Sequence, residues 1–260
     1  MLHKIRHQKL NVNVDGCRNL MMSTSDRDTV KMLVKNKQHY VNYKLFGTVT
    51  GRLTTDKDSF PILNMKSKFR SLIKPTNDWF VSFDYNGAEI RTFLALSGHE
   101  QPREDIHKWN MKNIYLNKVS DRDEAKVRFF SSFYNHSDTT LDGTIYSRKS
   151  VVDHHYDGKQ VRTQFGREIS VDDRKAFNYI IQSTTNDIVL DRAAFIEREL
   201  EGTKSHIAFI VHDEILIDMH HDDRHRIPKI KQIFEQNRLG NFVANIKAGK
   251  DYGNLKELQI

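Results

Sequence analysis

The sequence predicts an α+β fold, and three observations carry that prediction. Two apolar runs rich in β-branched and aromatic residues, WFVSF at 79–83 and HIAFIV at 206–211, read as buried strands. The second run is followed after two residues by EILIDM at 214–219, so these two strands form a hairpin with a very tight turn at His212 and Asp213. Segments of helical spacing separate the strands without a regular strand–helix–strand rhythm, which disfavours a doubly wound parallel sheet.

Taken in order, residues 1–45 are polar and weakly patterned, with a helix expected around Asp26 to Lys37 and an extended piece from His39 to Leu45. WFVSF ends at Asp84, just before NGAEIRTFLAL, whose spacing is helical, so Asp84 sits at a strand's end. Ser120 to Tyr134 reads as a helix capped by Ser120 or Asp121, with acidic residues in its first turn. The Gly- and His-containing stretch from Asp142 to Gly166 reads as strands and turns, including a turn at Asp157-Gly158. Asp172 or Asp173 opens a long helix to about Leu200, where Gly202 stops it. A helix from about Pro228 to Arg238 and a closing strand near Phe242 to Ile246 complete the pattern.

At 260 residues the chain can bury one large core or two modest ones. Its formal charge of +7 and pI near 9.3 suit a partner carrying many phosphates, although solvated lysine faces give the same balance. A single cysteine, Cys17, excludes an internal disulfide and a multi-cysteine zinc site, and fits a reducing compartment. The start, MLHKIRHQKLNV, lacks the apolar stretch of a signal peptide, and no window reaches the length of a membrane span, so a soluble, cytoplasmic protein with no membrane partner is expected. The doublets His154/His155 and His220/His221, with His225, lie among charged residues without a convincing ligand spacing and read as exposed histidines. No internal repeat or low-complexity linker marks a boundary, and four prolines are too few for a Pro-rich connection.

Two carboxylates, Asp84 at a strand's end and Asp213 at a hairpin tip, can meet if their strands are neighbours in one sheet. Such a pair can bridge two Mg²⁺ ions about 3.5–4 Å apart, one activating an attacking hydroxyl and the other holding a triphosphate. Each aspartate taken alone reads first as a turn or cap residue. On the helix after Ser120, Arg122, Lys126, Phe130 and Tyr134 recur every four residues along one stripe, which suits phosphates on the cations and a base against the rings. An amphipathic helix with its aromatics in the core gives the same pattern. Arg174, Asn178 and Gln182 form a third stripe, able to reach sugars, phosphates and base edges or to face solvent.

Five segments, in the right order, resemble the A-family DNA polymerases, the family of bacterial DNA polymerase I. TVTGRLTT (48–55) with FPILN (60–64) is similar to that family's TGRL segment, and FRSLIKPTNDWFVSFDYNGAEIR (69–91) to its motif A. DIH (105–107) with RDEAKVRFFSSFY (122–134) resembles the fingers helices and motif B. TQFGRE (163–168) with the Arg174, Asn178, Gln182 helix, and then VHDE (211–214), resemble the remaining palm segments and motif C. The similarity runs from about residue 40 to the closing AGKDYGNLKEL.

The resemblance implies a polymerase palm with an antiparallel sheet, reduced helical fingers and a thumb largely absent. It divides the chain into an N-terminal segment 1–45, a first palm part 46–98 with motif A, reduced fingers 99–165 with motif B, and a second palm part 166–260 with motif C. By the same carry-over, Asp84 and Asp213 are the metal-binding catalytic aspartates, the Tyr85 carbonyl is a further metal ligand and Glu214 a secondary acidic neighbour. Glu89 excludes ribonucleotides; Arg122, Lys126 and His107 hold the triphosphate, Lys126 also serving the leaving pyrophosphate as proton donor. Phe130 and Tyr134 stack near the sugar and nascent pair, and Arg52, Asn64, Arg174, Asn178, Gln182 and His212 contact primer, template or the minor groove. The cofactor implied is Mg²⁺, two ions, with Mn²⁺ as the alternative; the partners are primer-template DNA and dNTPs.

Departures from the pattern are Asn135 where a glycine follows motif B and Leu63 before Asn64. Only 39 residues lie between Tyr134 and Arg174, hence the reduced fingers. About 45 residues precede the TGRL region, so a split polymerase of the kind a phage encodes is expected, with thumb and 3′-5′ exonuclease on a separate chain and the host cytoplasm as its location. Two other readings stay open: an RNA- or primer-synthesising relative, and a catalytically silent DNA-binding scaffold of a replication complex.

Overall fold

The computed structural model describes residues 1–15, 17–35 and 39–260. Two compact units emerge: one of Met1–Asp84, Val189–Phe234 and Ala244–Ile260, the other of Tyr85–Ile188 and Glu235–Val243. The α+β expectation holds, with strands β1 (Trp79–Tyr85), β2 (His206–Val211), β3 (Glu214–Met219), β4 (Ala244–Gly249) and β5 (Lys256–Glu257) forming one sheet in the order β5-β4-β1-β3-β2.

In the first unit β1 and β3 run antiparallel in unbroken register from Trp79↔Met219 to Asp84↔Glu214. β2 and β3 form the expected hairpin, with a register shift between Ile207 and Phe209. Both of these strands and β1 are buried almost throughout, which explains why their sequences are continuous apolar runs rather than alternating ones. Phe83 meets Phe234 of the helix Ile227–Glu235 on one face, with ring centroids 6.1 Å apart. Phe80, Phe209 and Tyr252 pack on the other, at 6.1 and 5.1 Å. The outer strand β2 is pinned by Tyr43, whose hydroxyl donates to the Ile210 carbonyl at 2.5 Å and accepts from its N–H at 2.9 Å. Burial raises the Tyr43 phenol well above its usual range, so it remains a donor.

The second unit is helical: α1 (Ala88–Leu96), α2 (Ile106–Asn113), α3 (Arg122–Phe133) and the first part of α4 (Asp173–Glu199), with a small strand pair of Gln160–Arg162 and Glu168–Ser170. Its core is aromatic. Phe133 packs on Phe129 at 4.9 Å and on Phe177 at 5.0 Å, and Phe129 meets Tyr146 at 4.8 Å. Capping fixes the helix starts: the Asp105 side chain accepts from the N–H groups of His107 and Lys108, and that of Asp121 from Asp123 and Glu124. Gly87 turns the chain from β1 into α1 at φ +72, and a Cβ there would lie 2.4 Å from an Ile106 methyl.

Most expected elements appear at their places, and three differ. The N-terminal helix spans Thr24–Lys35, and positions 36 and 37 of the expected one lie outside the described residues. Within 142–166, Lys149–His155 is a helix instead of strand. Val151 is fully buried there and Arg148 donates to the carbonyls of Asn135 and Asp138, so packing overrides the strand preference of its valines. Near the end, the helix stops at Glu235, and Gln236–Asn237 pairs with Gly240–Asn241 in a small hairpin before β4. The Asn237 side chain accepts from Leu239 N–H at 2.8 Å, a local turn that competes with continuing the helix. No helix among the described residues is long and apolar enough to cross a membrane.

Candidate active site

In the first unit the pairing of β1 with β3 brings Asp84 opposite Glu214, and the two-residue turn places Asp213 immediately before it. The turn is tight enough that His212 adopts a left-handed φ of 55, a conformation uncommon for a side-chain-bearing residue. Three carboxylates thus converge at one end of two neighbouring strands. Burial, then the charges of Asp213 and Glu214, push the Asp84 carboxyl up to about 7, while Lys247 and a hydrogen bond from Asn245 act the other way.

Glu214 is held rather than free to swing. Ser82, two residues before Asp84 on the same strand face, donates to Oε1 at 2.5 Å, and Tyr252 donates to Oε2 at 2.8 Å. Burial and the Glu214 charge raise the Tyr252 phenol far above its usual range, so its proton stays available for that bond. Both Glu214 oxygens are thus engaged by neutral donors, and its charge still acts on Asp84. Sequence reasoning singled out the three acids and missed Ser82, Asn245, Lys247 and Tyr252. Tyr252 lies within AGKDYGNLKEL, whose likeness to a closing segment gave no hint of a contact 38 residues back along the chain. Arg52 and His212 are exposed, as is Asn64 in the short turn Ile62–Asn64.

In the second unit the stripe on α3 lies beside the buried face formed by Ala125, Phe129 and Phe133. Lys126 is exposed and Arg122 is half-buried. Phe130 stacks on Tyr134 at 6.1 Å with ring planes 10° apart, and His107 of α2 lies 5.9 Å from Phe130. Arg122, Lys126, His107, Phe130 and Tyr134 are therefore brought together, with the rings half in the core and the cations outward, as an amphipathic helix places them. His107 is 3% exposed with Nδ1 unpartnered, and burial with the nearby Arg122 charge lowers it to about 4. A neutral imidazole beside two cations suits an anionic ligand that would supply the missing acceptor.

Arg122 is held by Asp105, which receives its Nε at 3.0 Å and Nη2 at 2.8 Å. Although burial works against it, Arg122 and Asn86 keep the Asp105 carboxyl well below the usual range. Asn86 donates to Asp105 at 2.7 Å, and Arg91, fully buried, donates to the carbonyls of Asn86, Pro102 and Glu104. Asp105, Asn86 and Arg91 were within the quoted segments but carried no assigned role. A charged residue inside the apolar AEIRTFLAL was the available signal.

Tyr85 is buried against Phe242 at 5.6 Å, and Glu89 is half-buried in the first turn of α1. Arg174 and Asn178 line a cavity of about 430 Å³ together with Tyr134, His136, Arg148 and Lys149. Gln182, one turn further along α4, is half-buried and outside that lining.

No protein-family model matches the chain. It is 24% identical to DNA polymerase I of Borreliella burgdorferi across 266 aligned positions, covering 80% of this chain and 29% of that protein. The chain thus spans less than a third of that relative. Among solved structures, it superposes on the POL domain of Pol1 from M. smegmatis, in complex with DNA primer-template and dNTP, with a TM-score of 0.69 at 15% identity, over 93% of this chain and 56% of that one. The sequence's resemblance is carried at the level of architecture: this chain has the fold of the palm-and-fingers region of an A-family DNA polymerase.

Proposed function

We propose that the chain is the catalytic part of a template-directed DNA polymerase, adding deoxynucleotides to a primer 3′-hydroxyl. The observation that carries this reading is the convergence of Asp84, Asp213 and Glu214 at the β1–β3 end, with Asp84 pushed up to about 7 by burial and then by its acidic neighbours. Holding like charges together costs stability and indicates a cation-binding task. Support also comes from the M. smegmatis neighbour, which was captured with DNA primer-template and dNTP.

Two Mg²⁺ ions suit this donor set of hard carboxylate oxygens on Asp84 and Asp213, with the Tyr85 carbonyl as a further proposed ligand. When bound, such ions supply Lewis-acid activation of the hydroxyl and neutralise phosphate charge. Ser82 and Tyr252 keep Glu214 fixed beside the two aspartates. In the second unit Arg122, Lys126 and His107 bind the triphosphate, and the Lys126 ammonium is the proton donor to the departing pyrophosphate. Glu89 fills the space where a ribose 2′-hydroxyl would sit, and Phe130 and Tyr134 present rings to the sugar and base. Arg174, Asn178 and Gln182, with Arg52, Asn64 and His212, contact the duplex, reading minor-groove acceptors common to all pairs. The division into palm parts 46–98 and 166–260 around reduced fingers 99–165 belongs to the same proposal.

Primer extension with Mg²⁺, comparing the natural chain with Asp213→Asn, tests it. Extension lost in the variant supports the reading; identical traces from both would favour the silent DNA-binding scaffold. Equal use of rNTPs and dNTPs by the unmutated chain would point to the RNA-synthesising relative instead, and selectivity relaxed by Glu89→Ala would assign the discrimination to that side chain.

A further inference from the structure

The antiparallel register that sets Asp84 against Glu214 at one end sets Trp79 against Met219 at the other. Five residue steps along the strand separate the two ends, about 17 Å. Just beyond the Trp79–Met219 pair stand Asp78 on one side and His220-His221 on the other, and one ligand atom from each of these three lies within 4.8 Å of the others. The cluster is fastened by the backbone: Asp78 Oδ2 accepts from His221 N–H at 2.7 Å, and His220 N–H donates to Ser205 Oγ at 2.9 Å. The two imidazoles lie against each other, centroids 4.2 Å apart and planes 30° from parallel.

The surroundings of His221 are what point to a ligand. Its Nδ1 faces Asp78 Oδ2 at 3.1 Å, and its Nε2 faces Asp222 Oδ1 at 2.9 Å. A neutral imidazole carries one N–H and one lone pair. Whichever nitrogen holds the proton, the other directs its lone pair at a carboxylate oxygen, so a cation must lie between them: either a second proton or a metal ion. With the proton on Nε2 toward Asp222, the arrangement is that of a metal-ligating histidine whose second nitrogen is anchored by a carboxylate. Lys204 occupies the other oxygen of Asp222 at 2.9 Å, which leaves Oδ1 for His221.

We propose that Asp78, His220 and His221 form a binding site for a divalent transition-metal ion of the Zn²⁺ class, with Asp222 positioning the His221 ring. Mixed imidazole and carboxylate donors suit Zn²⁺, Co²⁺ or Ni²⁺ over Mg²⁺. Bonds of about 2.0 Å put the ligands of a tetrahedral ion about 3.3 Å apart, so the group contracts by about 1.5 Å at its widest, a rotamer adjustment open to the 60%-exposed His221 ring. Water completes the coordination. Such an ion would fasten the chain entering β1 to the chain leaving β3, a clasp separate from the acidic cluster and independent of the polymerase reading. Of the histidines expected to be exposed, His154, His221 and His225 are, whereas His155 and His220 are half-buried.

Titration of the full chain with Zn²⁺ at pH 7.5, followed by calorimetry and by thermal unfolding, tests the site, with Co²⁺ visible absorption reporting nitrogen ligation. One tight equivalent is expected in the natural chain and in the controls Asp84→Asn and His155→Gln. His221→Gln should weaken binding by more than about tenfold and Asp222→Asn by about tenfold, and both should lose the Zn²⁺-dependent rise in melting temperature. Because Asp78 also caps a backbone N–H, Asp78→Asn is read only alongside His221→Gln, which keeps that cap. Absence of a tight equivalent, or affinity unchanged in His221→Gln, overturns the proposal and leaves a proton as the bridging cation.

Discussion

Asp84 makes the crowding at the acidic cluster measurable without any nucleotide. Its carboxyl titrates at about 7 in the folded chain against an ordinary 3.8, so the folded state holds this proton more tightly than the unfolded state does. The associated stability is fully present below about pH 3.8 and is lost as pH rises through 7. A shift of three units is worth about 4 kcal/mol at 1.36 kcal/mol per unit, and water entering the ionised cluster reduces this to about 2–3 kcal/mol. About two of these three pH units lie above pH 5, so about 1.5–2 kcal/mol is lost between pH 5 and pH 8.5 in EDTA, a fall in melting temperature of about 3–8 °C for a chain of this size. Asp84→Asn removes the charge while retaining an oxygen for the Asn245 hydrogen bond. The variant should therefore match or trail the natural chain at pH 5 and exceed it at pH 8.5. Saturating Mg²⁺, at about 100 times its dissociation constant, should return about 2.7 kcal/mol to the natural chain at pH 8.5 and much less to the variant. Melting curves that run parallel across this pH range, or a variant less stable at pH 8.5 in EDTA, would refute the reasoning.

Three further outcomes follow from the same contacts. Arg91→Met removes a buried guanidinium and leaves the carbonyls of Asn86, Pro102 and Glu104 without their donor, a loss of about 3–5 kcal/mol measurable by urea unfolding. Asp105→Asn keeps the α2 cap but breaks the charged pair with Arg122; stability should fall by about 1 kcal/mol, and steady-state kinetics should show a changed KM for dNTP with less change in kcat. His212→Gly relieves the left-handed φ of 55, and after the added freedom of the unfolded chain the folded state should gain about 0.5 kcal/mol in chemical denaturation, whereas DNA affinity should drop.

The framework was legible because its signals are local. Continuous apolar runs marked β1, β2 and β3, and two residues between 211 and 214 left room only for a hairpin, which fixed Asp213 at its tip. The spacing by four on α3 was equally readable, and the structure shows why it served two readings at once, its rings lying half in the core. What escaped were partners set by distant pairing. Ser82 and Tyr252 grip Glu214 only because β1 pairs with β3 and the closing segment folds back onto that strand face. The helix at Lys149–His155 escaped for a related reason: burial of Val151 decides its conformation, and a propensity reading weighs valine toward strand.

The register of β1 against β3 decides which face of the sheet carries the acidic cluster. Side chains alternate faces along a strand, so Asp84 shares a face with Ser82 and Phe80, and the β3 residues opposite them are Glu214, Leu216 and Asp218. A slip of one residue between β1 and β3 would turn Asp84 to the face where Phe83 meets Phe234 and bury its charge among apolar rings. The same slip would pull Ser82 from Glu214 and leave Thr76 and Asn77 without the Asp218 carboxylate that accepts their N–H groups at 2.6 and 2.9 Å. The register is thus over-determined by apolar packing and by polar bonds at both strand ends. Packing of that redundancy can hold three carboxylates together against their mutual repulsion, and the proposed cation binding rests on such a scaffold being in place first.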